Sequence, residues 1–206
     1  MTVLAMPLQN RVDPFGELFA SRARGMFMGN RGGRLHDDDR QLGTRRWTSR
    51  QWICCKLDFN GRQRHVWGDS YSELFFLDEV TALAAGHRPC FECRRRDAEL
   101  FATLFAGKRQ RAAAATMDKA LHAERLDGKA KRRHPRKIDL LPDGAMIAIE
   151  RDAFAVRGGR LLRWTPSGYA GSQRRPRGIE VEMLTPPSIV TALAKGYRPL
   201  WNPSSQ

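Results

Sequence analysis

The stretch Glu73-Leu74-Phe75-Phe76-Leu77-Asp78-Glu79-Val80-Thr81-Ala82-Leu83-Ala84-Ala85-Gly86-His87-Arg88-Pro89-Cys90-Phe91-Glu92-Cys93 holds most of what the chain says about its fold. Glu73 to Leu77 reads as a strand, and Asp78 is a helix N-cap whose carboxylate can accept from backbone N–H groups of the first turn. Val80, Leu83 and Ala84 then fall on one helical face, Gly86 supplies the residue that takes positive φ at a helix end, and Arg88-Pro89 turns the chain outward. Strand and helix follow one another with almost no connection and deliver a C-x-x-C pair, Cys90 and Cys93. The pattern points to a small α+β domain with short helices.

Ten residues of that stretch recur 110 positions later. Val80 to Pro89 matches Val190 to Pro199 at eight of ten positions, and in each copy a strand (Glu73–Leu77, Ile179–Leu184) precedes a short helix, a glycine and an Arg-Pro. The first copy leads to Cys90 and Cys93, the second to Leu200 and Pro203, so the second keeps the scaffold without the thiols.

Outside the two copies, Trp52 to Phe59 alternates so that Ile53, Cys55, Leu57 and Phe59 share one face, and it ends at Asn60-Gly61, which predicts a strand of a hairpin. Leu100, Phe101, Leu104 and Phe105 predict a helix before Gly107, and Met117 and Leu121 one from Thr116 to about Gly128. Ala145–Ile149 predicts a strand, and Ala153–Arg157 with Arg160–Trp164 a hairpin across Gly158-Gly159. Asp13-Pro14 with Phe15, Leu18 and Phe19 predicts a short amphipathic helix stopped at Gly25. Residues 25–46, without hydrophobic period, predict a mobile loop, and residues 165–178, rich in Pro, Gly, Ser and Arg, an exposed one. The expected organisation is therefore a basic arm with a short helix (1–46), a zinc-binding core (47–128), and a basic linker with an α+β, hairpin-containing C-terminal part (129–206).

The chain has 206 residues with 36 Lys+Arg against 22 Asp+Glu, a net charge of +14. No run approaches the 18 or so apolar residues of a membrane span, and Met1 to Asn10 has neither the basic start nor the long apolar segment of a secretory leader. A cytoplasmic, non-membrane protein is expected. The basic excess lies outside residues 51–110, which carry nine basic and eight acidic groups, and concentrates in the N-terminal arm, the run Gly128 to Lys137 and the C-terminal third. A field of that sign gathers polyanions. Nucleic acid is the expected partner, with Arg94, Arg95, Arg96, Lys131, Arg132, Arg133, Arg136 and Lys137 as phosphate contacts and Trp47 and Trp52 as platforms for bases.

Four cysteines in a cytosolic chain read as metal ligands or buried thiols rather than disulfides. Cys90 and Cys93 can close on one tetrahedral ion. With Cys54 or Cys55 as a third ligand, and the other or His65 or His87 as a fourth, they predict a structural zinc site. The residues Phe75-Phe76 and Ala82-Leu83-Ala84-Ala85-Gly86-His87-Arg88-Pro89-Cys90-x-x-Cys93-Arg94-Arg95 resemble the second half of the metal-binding domain of the Ada DNA-repair proteins. The resemblance covers residues 75–95. It implies zinc held by Cys90 and Cys93 and contact with DNA backbone. The family's two earlier cysteines are spaced apart, whereas here they would be the adjacent Cys54 and Cys55, which as strand neighbours face opposite sides unless the strand is bulged or ends there. The family's methyl-accepting activity is therefore not carried over. The rest of the chain resembles a bacterial family of unassigned function.

Two rival readings differ in class. Pro89-Cys90-x-x-Cys93 with His122-Ala123-Glu124 resembles, in reversed order, the signatures of zinc nucleobase deaminases, in which Glu124 would move protons. Asp118 with His122, joined by His134, His36 or Asp37–Asp39, offers a nuclease-type metal site, against a plain Asp118–His122 pair on a solvated helix face. A non-catalytic scaffold with structural zinc is the third reading.

Overall fold

The computed structural model describes residues 6–63, 65–107 and 110–206. Residues 1–5, on which the expectation about a leader partly rests, lie outside them. The described residues form a mixed α+β fold of two six-stranded sheets, a two-stranded hairpin and four α-helices, and no helix among them is long and apolar enough to cross a membrane.

The first sheet takes β1 (Arg11–Val12), β2 (Leu18–Phe19), β3 (Phe27–Asn30), β4 (Ile53–Lys56), β5 (Leu74–Phe76) and, after α1 (Glu79–Ala84), β6 (Arg88–Pro89), in the spatial order β2-β1-β5-β3-β4-β6. Next come α2 (Arg95–Ala106), α3 (Ala114–Arg125) and the hairpin of β7 (Leu126–Asp127) and β8 (Ala130–Lys131). The second sheet consists of β9 (His134–Lys137), β10 (Met146–Ile149), β11 (Asp152–Arg157), β12 (Arg160–Thr165), β13 (Gly168–Arg174) and β14 (Glu180–Met183), ordered β13-β12-β11-β10-β14-β9. Last comes α4 (Pro187–Ala194). Residues on both sides of the expected 46/47 boundary thus contribute strands to one sheet.

Helix α1 joins these parts. It is only six residues long and every one of them is buried. Leu77, Val80 and Ala84 pack on Met146, Ala155, Leu162 and Leu184 of the second sheet. Ala82 and Ala85 pack with Val12, Phe27 and Phe76 of the first, and Leu83 meets Phe101, Met117 and Leu193 of the other helices. A helix enclosed on all sides needs small residues where neighbours approach closely, which accounts for its alanines. Its start is tied as the sequence predicts: Asp78 accepts from Thr81 N at 2.8 Å.

Three local expectations are corrected. Residues 13–17 form the β1–β2 turn and Leu18–Phe19 strand β2, rather than a helix, because Asp13 accepts from Glu17 N and Gly16 takes φ +84°. Within the expected mobile loop, Phe27–Asn30 is a strand between β5 and β4, with Gly29 where any Cβ would strike the Ile53 carbonyl. Residues 168–174, expected as exposed loop, form edge strand β13, whose last five residues are exposed.

Candidate metal centre

Strand β4 alternates without a bulge, and that alternation sorts the two adjacent cysteines. Cys55 points to the face it shares with Met28, its partner on β3, while Cys54 points into the core of Val12, Phe27 and Phe76. Strand β6 runs parallel beside β4, with Cys54 opposite Pro89 and the Cys90 N–H donating to the Cys54 carbonyl at 3.0 Å. Cys90 therefore leaves the sheet next to Cys55. A tight turn, closed by Arg94 N donating to Cys90 O at 3.0 Å, then brings back Cys93 before α2 begins.

The sulfurs of Cys55, Cys90 and Cys93 lie within 4.8 Å of one another and all three residues are buried. Thiolates around one tetrahedral zinc stand about 3.8 Å apart, given bonds of about 2.3 Å, so a small contraction lets these three share an ion. Two backbone amides already address the sulfurs, Glu92 N to Cys90 Sγ and Lys56 N to Cys93 Sγ, each at 3.4 Å. Such bonds stabilise thiolate over thiol. Cys90 is the group that ionises first, since Cys55 and then Cys93 donate S–H to it. The thiol of Cys55 is pushed up by its hydrogen bonds to Cys90 and Cys93 and by burial. Three thiols this close cannot all lose their protons beside one another unless a cation is bound among them. Ile53, Phe59 and Phe75 pack against the cluster and shield it.

Cys54 stands apart from this group. Its thiol is fully buried and accepts from Arg94 Nη1 at 3.6 Å, and burial pushes its pKa up. The two histidines considered as fourth ligands are also elsewhere. His87 Nε2 accepts from Arg31 Nε at 3.3 Å beneath Trp52, and His65 lies beside Arg40. Among the described residues, no histidine or carboxylate joins the three cysteines.

The basic residues divide by burial. Arg95, Arg96, Arg132, Arg133, Arg136 and Lys137 are exposed, the last two on edge strand β9. Arg94 is buried instead, paired with Glu79 and Asp97 at 2.8 Å each, and so stands inside the fold. Lys131 is a half-buried residue whose ammonium is turned inward to the Ala84 carbonyl. Trp52 cannot stack on a base: it is 2% exposed, with the Arg31 and Arg125 guanidinium carbons 3.9 and 3.8 Å from its ring centre. Trp47 is half-buried and lies tilted against Trp52 and edge-on to His122.

The residues of the rival readings have other partners. Asp118 forms a two-point pair with Arg88 at 2.8 and 2.9 Å rather than meeting His122. His122 Nδ1 lies 3.0 Å from Arg125 Nη2. Glu124 accepts from Ser188 N at 2.9 Å at the start of α4, and His134 Nε2 lies 2.8 Å from the Glu124 carbonyl. His36 lies between the Ser72 hydroxyl and the Gly68 carbonyl, Asp37 accepts from Gln41 N, and Asp38 pairs with Arg34. No protein-family model, curated protein or solved structure matches the chain.

Composition alone could not reveal the buried Arg31, Arg88, Arg94 and Arg125, because arginine is ordinarily a surface residue. The one available signal was local: Arg88 and Arg94 flank the C-x-x-C pair and its helix stop, where a rigid turn needs anchors.

Proposed function

We propose that the protein binds zinc through Cys55, Cys90 and Cys93, and that the ion fixes the turn between β6 and α2 of a DNA-binding protein. The observation that carries the metal reading is the convergence of three buried sulfurs within 4.8 Å on two parallel strands and a turn. Thiolate donors favour zinc over magnesium or calcium, which take oxygen. Zinc completes its tetrahedron with one further ligand outside this trio. The resemblance of residues 75–95 to the Ada metal-binding domain supports both the metal and the partner.

The DNA reading draws on charge. The chain carries +14, and its exposed Arg96, Arg133, Arg136 and Lys137 have no carboxylate within salt-bridge distance among the described residues. Phosphates on a duplex would release counterions on meeting such groups, so binding is expected to weaken steeply with salt. Fluorescence polarisation with a labelled duplex across a salt series tests this. Reversing Arg133, Arg136 and Lys137 to glutamate should lower affinity and flatten the salt slope. Affinity that ignores ionic strength, or is unchanged in that variant, rejects the DNA reading, and purified protein without bound zinc rejects the metal one.

A further inference from the structure

Around Trp52, positive charge is buried with no carboxylate in direct contact among the described residues, the nearest acids being Asp13, Glu17 and Asp118. Arg31 and Arg125 are each 1% exposed, and both guanidinium carbons lie under 4 Å from the ring centre of Trp52. Two like-charged planes cannot occupy one face at that distance, so one lies on each face. The inward-turned ammonium of Lys131 is the third member. The three face a narrow cleft whose remaining cations are Arg46 and Lys129, and whose lining holds one carboxylate, Glu17.

Their hydrogen bonds go to neutral groups. Arg31 donates to the Gly16 and Arg46 carbonyls and to His87; Arg125 donates to the Gly86 and Arg50 carbonyls; Lys131 donates to Ala84. None of the three has a carboxylate within salt-bridge distance among the described residues. The Arg125 Nε is buried with no hydrogen-bond partner among the described residues. Carbonyls satisfy donors but do not neutralise charge, and an unpaired buried ion costs several kcal/mol. Arrangements of this kind are stabilised when an anion binds. Gly86 makes the approach possible, since a Cβ there would stand 2.7 Å from Arg125 Cδ.

We propose that this cleft binds a phosphate monoester. Five cations line the cleft against Glu17, with Asp13 near Arg31 and Lys131, and the excess that remains calls for more than a single negative charge, for which an arginine fork and an ammonium match tetrahedral oxygens. The space behind the mouth is about 20 Å³, room for about one water, so the phosphate stands at the mouth with at most one oxygen reaching in. The rest of the molecule therefore lies outside, where half-buried Trp47 offers a ring edge and face, and Arg46 and Lys129 can close over the oxygens. Burial and the nearby Arg31 and Arg125 push Lys131 down to about 7, and bound phosphate would relieve that strain.

The phosphate could come from a nucleic-acid end or from a free small molecule, and thermal unfolding with binding titrations separates the two. Inorganic phosphate, at a hundredfold excess over its Kd, should raise the melting temperature by about 5 °C relative to chloride of equal ionic strength. Lys131→Met should abolish the rise. Arg46→Ala and Lys129→Ala, at the rim and harmless to the core, should each weaken phosphate binding about tenfold. If a 5′-phosphorylated single strand binds about tenfold tighter than its 5′-hydroxyl twin, the ligand is a nucleic-acid end. If a nucleoside monophosphate binds but the strand's phosphate makes no difference, the ligand is a free phosphate ester. Either result supports the site. It is overturned if phosphate, nucleotide and 5′-phosphorylated strand all act no differently from chloride, or if their effect survives in all three variants. Binding of the 5′-hydroxyl strand reads the DNA proposal separately, so one can fail without the other.

Discussion

The helix stops at Ala84–Pro89 and Ala194–Pro199 are built alike and used differently. In the first, Ala85, Gly86 and His87 donate backbone N–H groups to Thr81, Leu83 and Ala82; in the second, Lys195, Gly196 and Tyr197 donate to Thr191, Leu193 and Ala192. Gly86 has φ +87° and Gly196 φ +111°. Beyond the stop the paths part. The first copy runs alongside β4 and presents Cys90 and Cys93 to Cys55. The second returns to the start of the first helix, where Tyr197 Oη and Leu200 N donate to Glu79 and Asn202 N donates to Asp78. One local device thus leads to a thiol-bearing turn in one place and a clasp in the other, and what differs is His87 against Tyr197 and the residues after the proline.

The largest expected effect comes from removing the clasp. Asp78 accepts from Thr81 N, Thr81 Oγ1, Tyr169 Oη and Asn202 N, all at 2.7 to 3.0 Å. Asp78→Ala would strand these donors in the interior, and a loss of about 4 kcal/mol in denaturant unfolding is expected. A loss below about 1 kcal/mol would mean that the two copies are not coupled through this carboxylate.

Next in size, the glycines sharpen the comparison directly. Gly86→Ala must both hold a left-handed residue and displace Arg125, whose Cβ and Cδ crowd the site, whereas a Cβ at Gly196 meets nothing within 4 Å. Expected losses are about 3 kcal/mol for the first and about 1 kcal/mol for the second. Equal losses would remove Arg125 from the account of why the first stop is confined.

The third effect is one of pH. Lys131 sits at about 7 in the folded protein against an ordinary 10.5, facing Arg31, Arg125 and Asp13. A guanidinium keeps its proton, so the lysine yields. Between those two values the unfolded chain holds a proton that the folded chain lacks, and stability therefore rises with pH, by at most about 1.4 kcal/mol per unit. Unfolding followed from pH 7 to 9 without phosphate should show this rise, and Lys131→Met should flatten it. A variant with the same slope as the parent would place the titration elsewhere.

Much of this was legible where local chemistry dominates. Asp78, Gly86, Gly107 and the Gly158-Gly159 hairpin act within a few residues of themselves, and the helix stops and the β11–β12 hairpin stand where the sequence put them. The α+β class follows from those elements. What depended on distant partners was not legible. Phe27–Asn30 is a strand because Phe76 and Ile53 flank it, and its own four residues carry no period. The choice between Cys54 and Cys55 was posed by strand alternation, but the answer needed the neighbouring β6 to show which face receives Cys90. The basic residues misled most, since Arg94 and Lys131 carry the same charge as Arg95 and Arg132 and differ only in what folds over them.

The central claim is tested most directly by counting metal per chain in two adjacent substitutions. On the proposed zinc reading, Cys55→Ser should abolish zinc binding, and Cys54→Ser should keep about one ion per chain, because its sulfur faces Arg94 on the opposite side of the strand. Retention of zinc in Cys55→Ser with loss in Cys54→Ser would contradict the account.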